Sequence, residues 1–296
     1  MAVQRGMLEK SVQYLIKTFY LGGRYAGSQY QVDEHTIEGK IIDVLVKSKY
    51  IESRETNHFK RASRTDAGVH ARSNLFSFES SKVIHPIEIN AQLPEDIGIW
   101  SYAILSEPKN PRYLPISREY RYYYPIYFLP KVFNEDLVRE ALEMLKGTHD
   151  FKYLCKLEKD KDKDKTTVRT FYDCECVRDE VFLKFRFEGD SFLWNQIRKT
   201  VQLLLDIGNS LVPISDLPDI LKADPRFEKQ IFGNADPNGL ILWDLKLPPE
   251  IESQFKTESK SLEKFAERLS VQTFDRLIQA KFQSEILESL GKEKLF

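Results

Sequence analysis

The chain has 296 residues, enough for one large domain or two moderate ones that each bury a core. Its 44 Lys and Arg against 45 Asp and Glu give a formal net charge of -1, which excludes a globally polycationic surface and leaves any nucleic-acid contact to a one-sided charge distribution. Hydrophobic residues make up 42%, yet no apolar run of about 18 residues could span a bilayer and no apolar leader follows Met1, so the expectation is a cytoplasmic protein without a membrane partner.

Residues 11–20 read as a strand, and residues 36–46 carry apolar side chains at helical spacing with Thr36 available as N-cap. Gly22, Gly23 and Gly27 mark the loop between them. A cationic cluster, Lys60-Arg61-Ala62-Ser63-Arg64, runs into the block Arg64-Thr65-Asp66-Ala67-Gly68-Val69-His70-Ala71. After it, Asn74-Leu75-Phe76-Ser77-Phe78 alternates like a half-buried strand leaving a loop. A short helix is predicted near residues 85–93, and strands over 97–104 and over the tyrosine-rich 118–128.

A second round follows the same plan, with a helix over residues 135–146, strands over 167–178 and 181–188, and a long helix over 192–208. This succession predicts an α+β protein of two ferredoxin-like (RRM-like) halves, whose antiparallel sheets join around a central cleft, plus C-terminal helices. The expected boundaries are residues 1–115 for the half carrying the Asp66 loop, 116–249 for the second half and 250–296 for a helical extension. In that extension Leu262, Phe265 and Leu269, then Phe274, Leu277, Ile278 and Phe282, predict two helices packed on the body with a break near Ser270. The alternating charges from Lys159 to Lys165 predict an exposed loop. Cys155, Cys174 and Cys176 form an odd set without zinc-ligand spacing, so neither a disulfide framework nor a metal site is expected.

Asp66 is the residue to explain, because a cation, a hydroxyl, a glycine and an imidazole surround one carboxylate. Taken alone, Asp-Ala-Gly is equally a turn with Gly68 at positive φ. On the strand containing Arg118-Glu119-Tyr120-Arg121-Tyr122, Tyr120 and Tyr122 share one face and Arg121 points away. Core packing accounts for most of these rings, although an RNA surface also needs rings on which bases stack. Arg198 lies one position off the apolar stripe Leu193, Ile197, Val201 and Leu204. Such an arginine is most often a surface charge. Reaching a cleft instead, it would hold a carboxylate ionised through paired N–H donors.

In this order the tracts resemble the tRNA pseudouridine synthase A family over most of residues 12–247. Arg64 to Ala71 is similar to the family's RTDAGVHA block, and Leu93-Pro94-Glu95-Asp96-Ile97 to its LPxDI tract. Arg118, Tyr120 and Tyr122, then His149-Asp150-Phe151, Ser191-Phe192-Leu193 with Arg198, and Gly239-Leu240-Ile241-Leu242 extend the match. The early loop departs from it. Where the family carries Asp-Gly and then Gly-Trp-Gln or Gly-Phe-Gln, this chain has Leu21-Gly22 and Gly27-Ser28-Gln29.

The resemblance implies a cofactor-free isomerase that detaches uracil from its ribose, rotates it and rejoins it through carbon, with the anticodon stem-loop of tRNA as substrate and positions 38, 39 and/or 40 as targets, the choice among them left open. Asp66 would be catalytic, Arg198 would pair with it, Tyr120 would stack on or bond the base, and Arg64 would help extrude the nucleotide. Lys60, Arg61, His70 and Lys199 would contact RNA, the lysines and arginine through phosphates. Family members act as homodimers. Whether the carboxylate adds to C1′, adds to the base or takes the C2′ proton stays open. Two other classes remain beside it. One is a non-catalytic RNA-binding module on the same scaffold; the other is a glycosidase, which needs a second acid at fixed separation, for which Asp150 is the nearest candidate.

Overall fold

Ten strands and seven helices form among the residues that the computed structural model describes, 7–157 and 166–289. The charged stretch from Lys159 to Lys165 lies outside the described residues. The first half runs β1 (Met7–Tyr20), α1 (Ile37–Lys47), β2 (Lys60–Arg61), β3 (His70–Lys82), α2 (Pro86–Asn90) and β4 (Ile97–Leu105). The second runs β5 (Ser117–Pro125), α3 (Glu135–Leu145), β6 (Gly147–Asp150), β7 (Val168–Arg178), β8 (Phe182–Gly189), α4 (Gln196–Gly208), α5 (Leu217–Ile220) and β9 (Leu240–Lys246). Three elements follow: α6 (Pro249–Glu252), β10 (Lys256–Thr257) and α7 (Ser259–Ser289).

All strands join one sheet in the order β10-β4-β1-β3-β9-β5-β8-β7-β6, with β2 paired to β3 off that path. Every pairing is antiparallel except that of β3 with β9, which run parallel through His70 opposite Ile241 and Ala71 opposite Leu242. The order repeats. In each half the last long strand lies beside the first and the first beside the one before the last, as β4-β1-β3 and again as β9-β5-β8.

Period-two alternation explains β8, where Leu183, Phe185 and Phe187 are buried and the residues between them are partly exposed. β1, flanked on both edges, instead buries Tyr14, Leu15 and Ile16 in succession. Each fully buried ring or branched chain of this kind stabilises the fold by roughly 1.5–3 kcal/mol. α1 starts where its cap predicts, with Thr36 Oγ1 accepting from Gly39 N at 3.1 Å.

Three expectations shift. The long helix begins at Gln196 rather than residue 192, because Gln196 Oε1 accepts from Leu193 N at 2.8 Å and Asn195 takes φ +62°. β5 stops at Pro125 and a short 3₁₀ turn, Ile126–Phe128, follows it. α7 is one continuous helix: Ser270 Oγ donates to Ala266 O at 2.7 Å instead of breaking it, and no glycine or proline interrupts the run. Ser261 and Phe265 dock it on the body, whereas Val271, Phe274, Leu277, Ile278 and Phe282 are exposed.

Only two residue pairs bond the halves across β3 and β9, and side chains reinforce that seam. The Arg72 guanidinium carbon lies 5.2 Å from the Trp243 ring centre and 5.7 Å from that of Trp100, and Arg121 stacks on Trp243 at 3.7 Å.

Candidate active site

The loop between β2 and β3 is both the turn and the candidate site. Gly68 sits at φ +84° and Val69 N donates to Asp66 O at 3.2 Å, which closes the turn and turns the Asp66 side chain outward from a buried base. That base is a hydrogen-bonded plug. Thr65 N donates to Ser28 Oγ at 2.8 Å and Ser28 N to Thr65 O at 3.0 Å. The Thr65 hydroxyl meets Tyr20 Oη at 2.8 Å, and Asn74 Nδ2 donates to Tyr20 Oη at 3.1 Å and to Ser63 O at 2.9 Å. Burial pushes the Tyr20 phenol up to about 12, so it stays a neutral member of the network. Gly27 permits the close approach: at φ +111°, a Cβ there would lie 3.0 Å from Thr65 O.

Asp66 leaves 30% of its side chain exposed, and Arg198 Nη1 from the first turn of α4 lies 3.6 Å from Asp66 Oδ2. That is an ion-pair separation rather than the paired N–H fork expected from sequence. The reason is local. Arg198 Nε is already donating to Ala235 O at 2.8 Å while Ala235 N donates back to Arg198 O at 3.1 Å, so the loop before β9 fixes the guanidinium and leaves one edge for the carboxylate. Burial raises the Asp66 acid above its ordinary value, against the opposing charge of Arg198, the Trp194 side chain and Lys156. The carboxyl is therefore desolvated more than it is paired.

Trp194 and Lys156 were not singled out from the sequence. Trp194 precedes α4 with 41% of its surface exposed, and Lys156 Nζ lies 4.0 Å from its ring centre. Lys156 N also donates to Trp194 O at 2.8 Å, tying the two together at the rim. No spacing rule finds this pair, since Lys156 follows β6 and Trp194 follows β8.

Tyr120, on β5, is buried with its ring edge-on to Phe192 at 5.3 Å. Burial raises its phenol far above the usual range, and the Asp66 charge adds to the push. Beneath it Arg118 donates to Asp190 O at 2.6 Å and to Arg112 O at 2.9 Å, and reaches Ser63 Oγ at 3.4 Å, linking the second half to the Asp66 loop.

The other expected residues spread around this centre. Lys60 and Arg64 are exposed. Arg61 Nη1 donates to Glu38 Oε1 at 2.8 Å and to Oε2 at 3.1 Å, so its charge is matched inside the fold. His70 Nδ1 accepts from Gly22 N at 2.9 Å, and burial lowers its pKa against the pull of a hydrogen bond to the Asn238 backbone, with Arg276 of α7 adding to the lowering. Lys199 Nζ donates to Phe232 O at 2.7 Å, bracing the loop that holds Arg198. Asp150 sits on the edge strand β6, where its Oδ1 accepts from Thr167 Oγ1 at 2.5 Å and from Lys152 N at 3.0 Å, so it supplies no second acid opposite Asp66. Among the described residues no cluster of His, Cys, Asp or Glu is arranged to hold a metal ion, and no helix is long and apolar enough to cross a membrane.

A family model described as tRNA pseudouridine synthase matches residues 141–248. Three proteins named tRNA pseudouridine synthase A are similar to the chain. The protein from Archaeoglobus fulgidus is 34% identical over 235 residues, covering 79% of this chain and 83% of its own length. The protein from Methanosphaera stadtmanae is 33% identical over 232 residues, 78% and 82% of the two chains. The protein from Methanococcoides burtonii is 29% identical over 277 residues, 93% and 95% of the two chains.

Proposed function

The chain belongs to the tRNA pseudouridine synthase A family and is a pseudouridine synthase, an isomerase; from that premise we propose that Asp66 is its catalytic carboxylate and that its targets are among uridines 38, 39 and 40 in the anticodon stem-loop of tRNA. The observation that carries this reading is the meeting of Asp66 and Arg198 at 3.6 Å, one on the loop before β3 and the other in the first turn of α4, in a half-closed site walled by Tyr120 and Trp194. In the reaction the N1–C1′ bond breaks, uracil turns, and a C5–C1′ bond forms as C5 loses a proton and N1 gains one. A single desolvated carboxylate suits either the nucleophile or the proton acceptor of that sequence, and a group stripped of water reacts more readily than a hydrated one.

In this proposal Arg198 keeps the carboxylate usable at neutral pH and Tyr120 provides the ring against which the flipped base lies. Arg64 and Lys60, on the exposed rim, take phosphates and help draw the nucleotide out. Arg61, His70 and Lys199 contact RNA as well, each steadied by a bond within the fold, to Glu38, Gly22 N and Phe232 O. The protein acts as a homodimer, with residues 1–115 and 116–249 as two ferredoxin-like halves and 250–296 as an extension. The repeated strand order supports the two halves.

The decisive experiment incubates the full chain with unmodified tRNA transcript and maps pseudouridine chemically. Product from the wild type and none from Asp66→Ala is the expected outcome. Full product from Asp66→Ala, or none from the wild type, overturns the assignment. Sedimentation of the same preparation tests the homodimer.

A further inference from the structure

Residues 21–35 have two sides, and only one of them serves the Asp66 loop. On that side Gly22 N donates to His70 Nδ1 at 2.9 Å, Ser28 pairs with Thr65 through both its backbone and its hydroxyl, and Gly27 packs against Thr65 O. On the other side Arg24, Tyr25 and His35, together with Lys40 and Asp43 of α1, line an open cavity of about 430 Å³. That volume lies within the range of small-ligand sites.

The lining has the chemistry of a nucleotide receptor. His35 stacks on Tyr25 with ring centres 4.8 Å apart and planes at 9°, and His35 is exposed, so the outer face of the imidazole is open to a further ring. Tyr25 cannot rotate away, because its hydroxyl donates to Asp96 Oδ1 at 2.6 Å. Arg24 is pinned along one edge to Asp96 Oδ2, at 2.7 and 3.1 Å, yet its side chain stays 75% exposed, so a fixed cation with donors to spare stands at the cavity wall. Lys40 adds a second cation. Asp43, the one anion of the lining, fits the exocyclic amino group of adenine, cytosine or guanine, which uracil lacks.

We propose that this cavity is an accessory site for an unstacked, amino-bearing nucleotide of the RNA substrate, with its base on His35 and its phosphate on Arg24 and Lys40. The inference rests on RNA being the substrate. Because residues 21–35 clasp the Asp66 loop from the opposite side, a nucleotide held there also steadies the base on which Asp66 stands, so docking at a distance promotes reaction.

The test uses the full chain carrying Asp66→Asn, expected to bind RNA without turnover, and measures binding of an unmodified tRNA transcript over a range of salt. His35→Ala is expected to weaken binding on the order of tenfold, and His35→Phe to restore it, since the ring rather than the imidazole nitrogens carries the base. Lys40→Gln is expected to flatten the dependence of log affinity on log salt by roughly 0.7–0.9. Unchanged affinity in His35→Ala, or an equal loss in His35→Phe, overturns the stacking site; an unchanged slope in Lys40→Gln overturns the phosphate contact. Pseudouridine formation by the wild type separates the two readings. No product alongside weakened binding in His35→Ala removes the catalytic assignment and leaves the cavity standing, whereas product with binding indifferent to His35 and Lys40 removes the cavity alone.

Discussion

In the catalytic role proposed for it, Asp66 meets two opposing demands: it must be dry to react and charged to act. Burial raises its acid in the folded protein, so the native state holds the proton more tightly than the unfolded chain does. Ionising Asp66 therefore costs stability as pH climbs from the ordinary aspartate range through the raised value, and the cost remains at neutral pH. Asp66→Asn removes it. The expected outcome is a loss of turnover of at least about 10³-fold together with a melting temperature above that of the wild type at pH 7, the gain vanishing in acid where wild-type Asp66 is protonated. A lower melting temperature at pH 7 would contradict this account. The acid limb of the pH–rate profile should likewise lie above the ordinary aspartate range, and Arg198→Gln should move it higher still by removing the charge that opposes burial. An acid limb unmoved by Arg198→Gln would exclude the ion pair from control of Asp66.

Residue identities were legible to different depths. Asp66 stood out through the local chemistry of its tract, whereas the patterns around Tyr120 and Arg198 favoured a core ring and a surface charge, and only the family resemblance set them beside it. The internal partners of Arg61, His70 and Lys199, namely Glu38, Gly22 and Phe232, lie tens of residues away, and sequence spacing carries no sign of such pairings. Ser28 stands where the family has an aromatic residue, and its hydroxyl accepts from Thr65 N within the buried plug. A departure in sequence thus became a polar tether in structure.

At the scale of elements, the loops that carry the site are held by backbone geometry as firmly as the strands are. Gly27→Ala would force a Cβ toward Thr65 O at a positive φ, and the expected cost is about 1–3 kcal/mol of stability with a larger loss of turnover than of tRNA affinity. Thermal melts and steady-state kinetics check it, and a variant with wild-type turnover would show that the Asp66 loop does not depend on this contact. Alternation made β8 readable, whereas β3, expected to be half-buried, buries Ser73 to Phe78 in succession because it is covered on both faces. The start of α4 was not, since its apolar stripe extends back to Leu193 while Asn195 leaves the helical region. The unity of α7 was hidden for the opposite reason: a shift in the apolar pattern near Ser270 marks where its apolar residues turn to solvent, not where the helix ends, and Gln272 still donates to Glu95 beyond it.

At the scale of the molecule, the two halves meet through two backbone pairs of β3 with β9, and Asp66 and Arg198 face each other across that junction. The Arg72, Trp243 and Arg121 stack is the side-chain reinforcement of the seam. Trp243→Ala removes both cation–aromatic contacts, worth about 0.5–1 kcal/mol each at a partly exposed site. The expected result is a modest drop in melting temperature with a disproportionate fall in turnover, because the cost falls on the geometry between halves. Equal losses of stability and turnover in a control core variant such as Val138→Ala would argue against that specificity. The repeat of the strand order was legible from the two rounds of elements, whereas the single parallel pairing that fuses them was not, since no local pattern marks which edge strand finds which.

That parallel pairing also sets a timetable for the nascent polypeptide. On the ribosome the first half can complete its own strands once β4 has emerged, but part of the β3 edge waits for β9, which is translated near the end of the core. Until then the emerging protein carries an unsatisfied strand border and a carboxylate with no counter-cation, so chaperone engagement should centre on β3 and enzymatic competence should arrive only with the last core strand.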